Sequence, residues 1–259
     1  MKNYRQLFDL SGKRALVTGA GRAEGIGAAI AAGLSDFDAQ VAIHVGRDDA
    51  SGEGVRNNFQ QSGRSCELFA QDLSKPGAGK QLIETVQADF GAIDILVLNA
   101  AAQVNGNFED LTAEQYELQV NVNMRSTFEI LQCVLPKMAE RGWGRIVNVG
   151  SINQRAPKSI VSVYAATKAA QHNLIQSLAR NYADSGVILN TLAPGLVDTH
   201  PQRREGNPEA TQVWNDYVGE LNWMRRAGQV EEMVGAAVYL SSPACSFMTG
   251  EAIFPAGGY

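Results

Sequence analysis

From Lys13 onward, short apolar runs rich in β-branched residues alternate with longer stretches in which apolar residues return every three or four positions. The first pattern predicts strands and the second predicts amphipathic helices, so their alternation predicts βαβ units and a parallel sheet. Strands are expected at 14–18, 40–45, 66–70, 93–99, 145–149, 187–192 and 252–254. Helices are expected at 25–35, 49–61, 77–90, 112–141, 159–184 and 230–241, with Pro136 bending or ending the fourth. The runs IDILVLNAAA and GRIVNVGS are apolar at successive positions, as strands covered by helices on both faces must be. The pattern therefore predicts α/β architecture: a single Rossmann-type, doubly wound parallel sheet of about seven strands with helices on both faces.

Between Val197 and Gly228 the alternation breaks, with Pro201, Gly206, Pro208 and the aromatics Trp214, Tyr217 and Trp223. That stretch reads as an insertion over a site, a lid at about 196–228. No repeat or linker divides the rest, so residues 1–259 are expected to form one domain.

Composition narrows the classes. Hydrophobic residues make up 45% and charged residues 19%, enough for a large core and too little charge for disorder. The net charge of −5 and the lack of a basic run argue against nucleic acid. No stretch reaches the roughly 18 apolar residues of a membrane span, and the N-terminal segment does not read as a signal peptide. Cys66, Cys133 and Cys245 are widely spaced and odd in number, which fits a reducing cytoplasm rather than a disulfide framework. His44, His172 and His200 lack ligand spacing, so no metal is expected.

Chemistry concentrates in two places. The first strand runs into Thr18-Gly19-Ala20-Gly21-Arg22-Ala23-Glu24-Gly25-Ile26-Gly27, just before a helix. Glycines allow a tight turn and close approach, and the amides of a helix start favour phosphate, so this segment is a candidate pyrophosphate site. A ligand-free glycine turn is the plainer reading of the segment taken alone. The second place is Ser151 at the end of the fifth strand, Tyr164 thirteen residues later and Lys168 one helical turn beyond. On one helix face, an ammonium stands near a phenol and lowers its pKa from about 10. A half-buried Tyr with a solvated Lys is the alternative, and the pair persuades only with its neighbours.

Taken together these segments resemble the short-chain dehydrogenase/reductase family over nearly the full chain, from the glycine turn through Tyr164-Ala165-Ala166-Thr167-Lys168 to Gly257-Gly258. The resemblance implies that Ser151 hydrogen-bonds the substrate oxygen, Tyr164 exchanges its proton, and Lys168 holds the nicotinamide ribose and lowers the Tyr pKa. It makes Asn123, in Val122-Asn123-Met124, the anchor of a proton-relay water, with Asn121 the rival about 200° around the helix. It gives Asp72 an adenine contact, makes Asn99 the second Asn of the family's Asn-Asn-Ala-Gly element, and gives Pro194-Gly195 the nicotinamide-side turn and Thr199 the carboxamide. Capping roles for Asp72 and Asn99, and a plain loop hydroxyl for Thr199, stay open.

Departures from the family pattern are visible. Five residues separate Gly19 from Gly25 where the pattern has three, which clouds the placement of Arg22, Ala23 and Glu24. Leu98, Ala101 and Ala256 replace an Asn, a Gly and an Asp. Val45 stands where NAD-preferring relatives carry Asp, and Arg47 follows, with Arg22 as a second clamp. NADP is therefore the expected cofactor; Asp48 and Asp49 keep NAD as the second candidate. The expected function is reversible hydride transfer between a carbonyl and a secondary alcohol on a sugar, a polyol or a 3-oxoacyl thioester, by a homotetramer built on helices 112–141 and 159–184. A catalytically silent nicotinamide-nucleotide-binding regulator is the alternative.

Overall fold

The computed structural model describes residues 3–46 and 49–259. Among them lie strands β1 (Arg14–Val17), β2 (Gln40–Val45), β3 (Glu67–Ala70), β4 (Ile95–Leu98), β5 (Gly144–Val149), β6 (Val187–Leu192) and β7 (Ala252–Ile253). They form one parallel sheet in the order β3-β2-β1-β4-β5-β6-β7. Helices α1 (Ile26–Asp36), α2 (Asp49–Gln61), α3 (Ala78–Asp89), α4 (Ala113–Val120), α5 (Ser126–Glu140), α6 (Ser162–Tyr182), α7 (Pro208–Leu221) and α8 (Val234–Ser241) connect and cover it.

Successive strand side chains point to opposite faces, and two cores result. Ala15, Val17, Ile43, Ile95 and Val97 pack with α1, α2 and α8 on one face. Leu16, Ala42, Leu96 and Ile146 pack with α3, α5 and α6 on the other. This is the doubly wound, Rossmann-type sheet that the alternation predicts.

Two expected elements come out differently. The helix expected over 112–141 is α4 and α5 joined by a π-helical turn at Asn121–Arg125. Pro136 does not end it: α5 runs on to Glu140, and Gln132 and Pro136 both lie on its exposed side, where water can take the carbonyl that proline frees. The stretch read as irregular contains α7, fourteen residues with Asn207 as N-cap and Pro208 at its first position. Those residues had the look of breakers; they are start signals.

Candidate active site

Strand order reverses between β1 and β4, so the connections leaving their carboxyl ends diverge and open a crevice. A cavity of about 700 Å³ lies there. Its floor is the glycine turn. Gly19 has φ +68°, and a Cβ on it would come within 2.6 Å of Ala100 Cα; one on Gly27 would lie 2.5 Å from Asn99 Nδ2. Asn99 clamps the turn by donating from Nδ2 to the carbonyls of Thr18 (3.0 Å) and Gly19 (2.9 Å). Gly25 caps α1 without a side chain, so the amides at the start of that helix are left for a ligand, at its positive end.

His44 is a support that the search for metal-ligand spacing passed over. Its Nδ1 accepts from the Gly19 amide (3.2 Å) and its Nε2 donates to the Gln71 carbonyl (2.9 Å), tying the turn to the ends of β2 and β3. Burial pushes its pKa down to about 4, which keeps the ring neutral and able to accept from Gly19.

Gly19, Arg22, Gly25, Ile26, Gly27, Asp72 and Asn99 all line the cavity, as do Pro194, Gly195 and Thr199 from beyond β6. Gly21 does not. Arg47 lies outside the described residues. Arg22, in the lengthened turn, reaches across to His200 of the opposite segment, and Thr199 Oγ1 meets the other ring nitrogen of His200 at 2.9 Å. The lengthened turn thus carries Arg22 toward the segment after β6. Asp72 accepts from the amide (3.0 Å) and hydroxyl (2.7 Å) of Ser74, the local turn bonding left open above.

Ser151, Tyr164 and Lys168 meet on the opposite wall. Asn153 donates to Ser151 Oγ from both its amide N and Nδ2, each at 3.2 Å. With both acceptor positions used, the serine hydroxyl keeps its own proton to donate. Lys168 is 1% exposed. Its Nζ donates to the Val149 carbonyl (2.7 Å) and lies 5.7 Å from the Tyr164 ring centroid. Two of its three N–H groups remain.

The resemblance implied a lowered Tyr164 pKa; in this chain the phenol is pushed up, by burial, against a smaller downward pull from the Ser151 hydroxyl. Lys168 itself falls to about 7, again through burial. Desolvation is the largest cause at both groups.

Asn123 sits inside the π-helical turn and is 0% exposed. Its Oδ1 accepts from Ala102 N (2.8 Å), and its Nδ2 donates to Ala102 O and Thr167 Oγ1, both at 2.9 Å. Its main-chain carbonyl accepts from Thr127 Oγ1 and from Nε2 of Gln171, each at 2.7 Å. Asn121 instead turns outward to Arg125. Asn123 therefore braces the loop after β4 against α6, the helix of Tyr164 and Lys168. Gln171, one turn past Lys168 on the same buried face, is a further site residue that no pattern in the sequence marks.

Comparison with known proteins follows the same lines. A family model described as enoyl-(acyl carrier protein) reductase matches residues 19–259. The chain is 34% identical to gluconate 5-dehydrogenase of Gluconobacter oxydans over 256 residues, 99% of this chain and 98% of that one. It is similar to a crystal structure of a 3-oxoacyl (acyl-carrier-protein) reductase from Agrobacterium tumefaciens C58 with NADP bound, with 53% identity, TM-score 0.92, and coverage of 99% of this chain and 98% of the other. A gluconate 5-dehydrogenase from Burkholderia cenocepacia J2315, in complex with NADP and tartrate, aligns at 31% identity and TM-score 0.87 over 98% of both chains.

Proposed function

The chain belongs to the short-chain dehydrogenase/reductase family, and from that premise we propose that it is an NADP(H)-dependent oxidoreductase interconverting a carbonyl and a secondary alcohol. The observation that carries this reading is the convergence of Ser151, Tyr164 and Lys168 on the cavity whose floor is the glycine turn. A bound nicotinamide supplies or accepts the hydride. Ser151, its acceptor positions held by Asn153, donates to the substrate oxygen and orients it. Tyr164, kept protonated by burial, gives its proton to a carbonyl oxygen in reduction and takes one back in oxidation. Lys168 turns its two remaining N–H groups to the ribose hydroxyls. Asn123 and Gln171 hold α6 in place behind them. A silent regulator has no use for a buried proton donor so arranged.

The residues present suit a dinucleotide phosphate. The amides at the α1 start would take the pyrophosphate where the close-packed Gly19 and Gly27 let it approach and Asn99 clamps the turn, Asp72 would meet the adenine, and Pro194, Gly195 and Thr199 would meet the nicotinamide. NADP over NAD is supported by Val45, which leaves no acid at the end of β2 to repel a 2′-phosphate, by Arg47 two residues on, and by relatives crystallised with NADP. The relatives favour a sugar acid or a 3-oxoacyl thioester as substrate. We further place it in a reducing cytoplasm, on its free cysteines. We read it as a homotetramer, on the exposed apolar side chains Tyr116, Leu118 and Phe128 of α4 and α5. Small-molecule substrates and copies of itself are its partners in this reading; no helix among the described residues is long and apolar enough to cross a membrane.

Nicotinamide absorbance, followed with NADPH or NADP against aldonates, their keto forms, neutral alditols, 3-oxoacyl thioesters and an enoyl thioester, tests this directly. Turnover with a carbonyl or alcohol is expected. Turnover confined to the enoyl thioester, or none at all, overturns the reading.

A further inference from the structure

The loop between β5 and α6 carries Ser151 at its start, and on its far side it carries a cation that the mechanism above does not use. Lys158 lines the cavity. Its backbone amide donates to Asn153 Oδ1 (3.2 Å), the same asparagine that fixes the Ser151 hydroxyl. One side chain therefore sets the reacting hydroxyl and the lysine at a fixed offset. The Lys158 Nζ donates to the Tyr217 hydroxyl of α7, and it lies 4.9 Å from the Tyr217 ring centroid and 5.8 Å from that of Tyr259.

The Tyr217 hydroxyl and the Tyr259 ring hold the ammonium in place without cancelling its charge. Among the described residues no carboxylate forms an ion pair with it. Among the described residues the one carboxylate on the cavity wall is Asp72, which follows β3, at the end read here as the adenosine end. The substrate end thus carries a fixed positive charge with two N–H groups to spare, and the amide side chains of Gln103, Asn105 and Asn153 line the same cavity. A hydrophobic acyl chain gains nothing from that set. A carboxylate with several hydroxyl groups uses all of it.

We propose that Lys158 is the carboxylate anchor of the substrate site and that the substrate is a short polyhydroxylated carboxylic acid, a sugar acid, held with its carboxylate on Lys158 and its reacting carbon at Ser151 and Tyr164. This rests on the oxidoreductase reading and selects one substrate class within it. The other office open to Lys158, a strut that only holds α7 through Tyr217, makes the opposite forecast for a neutral ligand.

The test is calorimetric binding of D-gluconate and of neutral D-glucitol to the protein loaded with NADPH, which cannot oxidise either one. Gluconate is expected to bind at least tenfold more tightly than glucitol. Lys158→Met should weaken gluconate by about ten- to a hundredfold, as expected for a lost charge-assisted hydrogen bond, and should leave glucitol and NADPH nearly unchanged. Lys158→Arg should retain most of the gluconate affinity. Glucitol binding as tightly as gluconate, no gluconate binding at all, or equal losses for both ligands in Lys158→Met would overturn the proposal. Failure of the oxidoreductase reading shows separately, as intact gluconate binding with no absorbance change for any substrate.

Discussion

Lys168 carries its ammonium into a position only 1% exposed, with a single hydrogen bond to the Val149 carbonyl and no carboxylate ion-paired to it among the described residues. Burial lowers its pKa from 10.5 to about 7, so the unfolded chain binds this proton more tightly than the folded one. The cost is full below about pH 7 and is relieved as pH rises from there toward 10.5. Lys168→Met should therefore melt roughly 5–10 °C above the cofactor-free wild type at neutral pH and below, a few kcal/mol at this chain length. The gap should shrink as pH climbs, while NADPH affinity falls. Thermal melts from mildly acidic to alkaline pH check this; a variant less stable than wild type across the range would show that Lys168 serves the fold. Lys168, Tyr164 and Ser151 were legible because their spacing records a strand end and one helical turn. His44, Asn153 and Gln171 were not, since each matters through a contact that only the folded chain creates: a ring under Gly19, an amide on Ser151, an amide on the Asn123 carbonyl.

Among elements, the alternation of apolar periods located seven of the eight helices, two of them inside one predicted span, and all seven strands, with ends shifted by a few residues. What it could not show is the π-helical turn at Asn121–Arg125. Ser126 and Thr127 donate their hydroxyls to the carbonyls of Val122 and Asn123, and Gln171 reaches the latter from α6; the turn is held by groups from two helices, which no single window contains. The segment 196–228 is the other case. Its α7 buries Val218 but leaves Val213 64% and Tyr217 44% exposed, and it touches the cavity side through Lys158–Tyr217. An element with so little buried apolar surface is expected to open readily without ligand. Hydrogen exchange over residues 196–228 should slow when NADPH and gluconate are added together. Equal protection in the free and ternary forms would contradict a closing lid.

At the scale of the molecule, the sheet is what makes distant segments into one site. Turns after β1, β4, β5 and β6, from Gly19 to Thr199, open on the same edge because every strand is parallel and every helix returns the chain to the other end. The cofactor side and the proton-transferring side therefore face each other across one cavity, and hydride transfer paired with proton transfer from Tyr164 is the central claim. The direct test is Tyr164→Phe, which keeps the ring and removes the proton, assayed beside wild type for NADPH binding and for turnover of the best substrate. A fall in kcat of about 10²- to 10⁴-fold with NADPH affinity nearly unchanged is predicted; turnover close to wild type would contradict it.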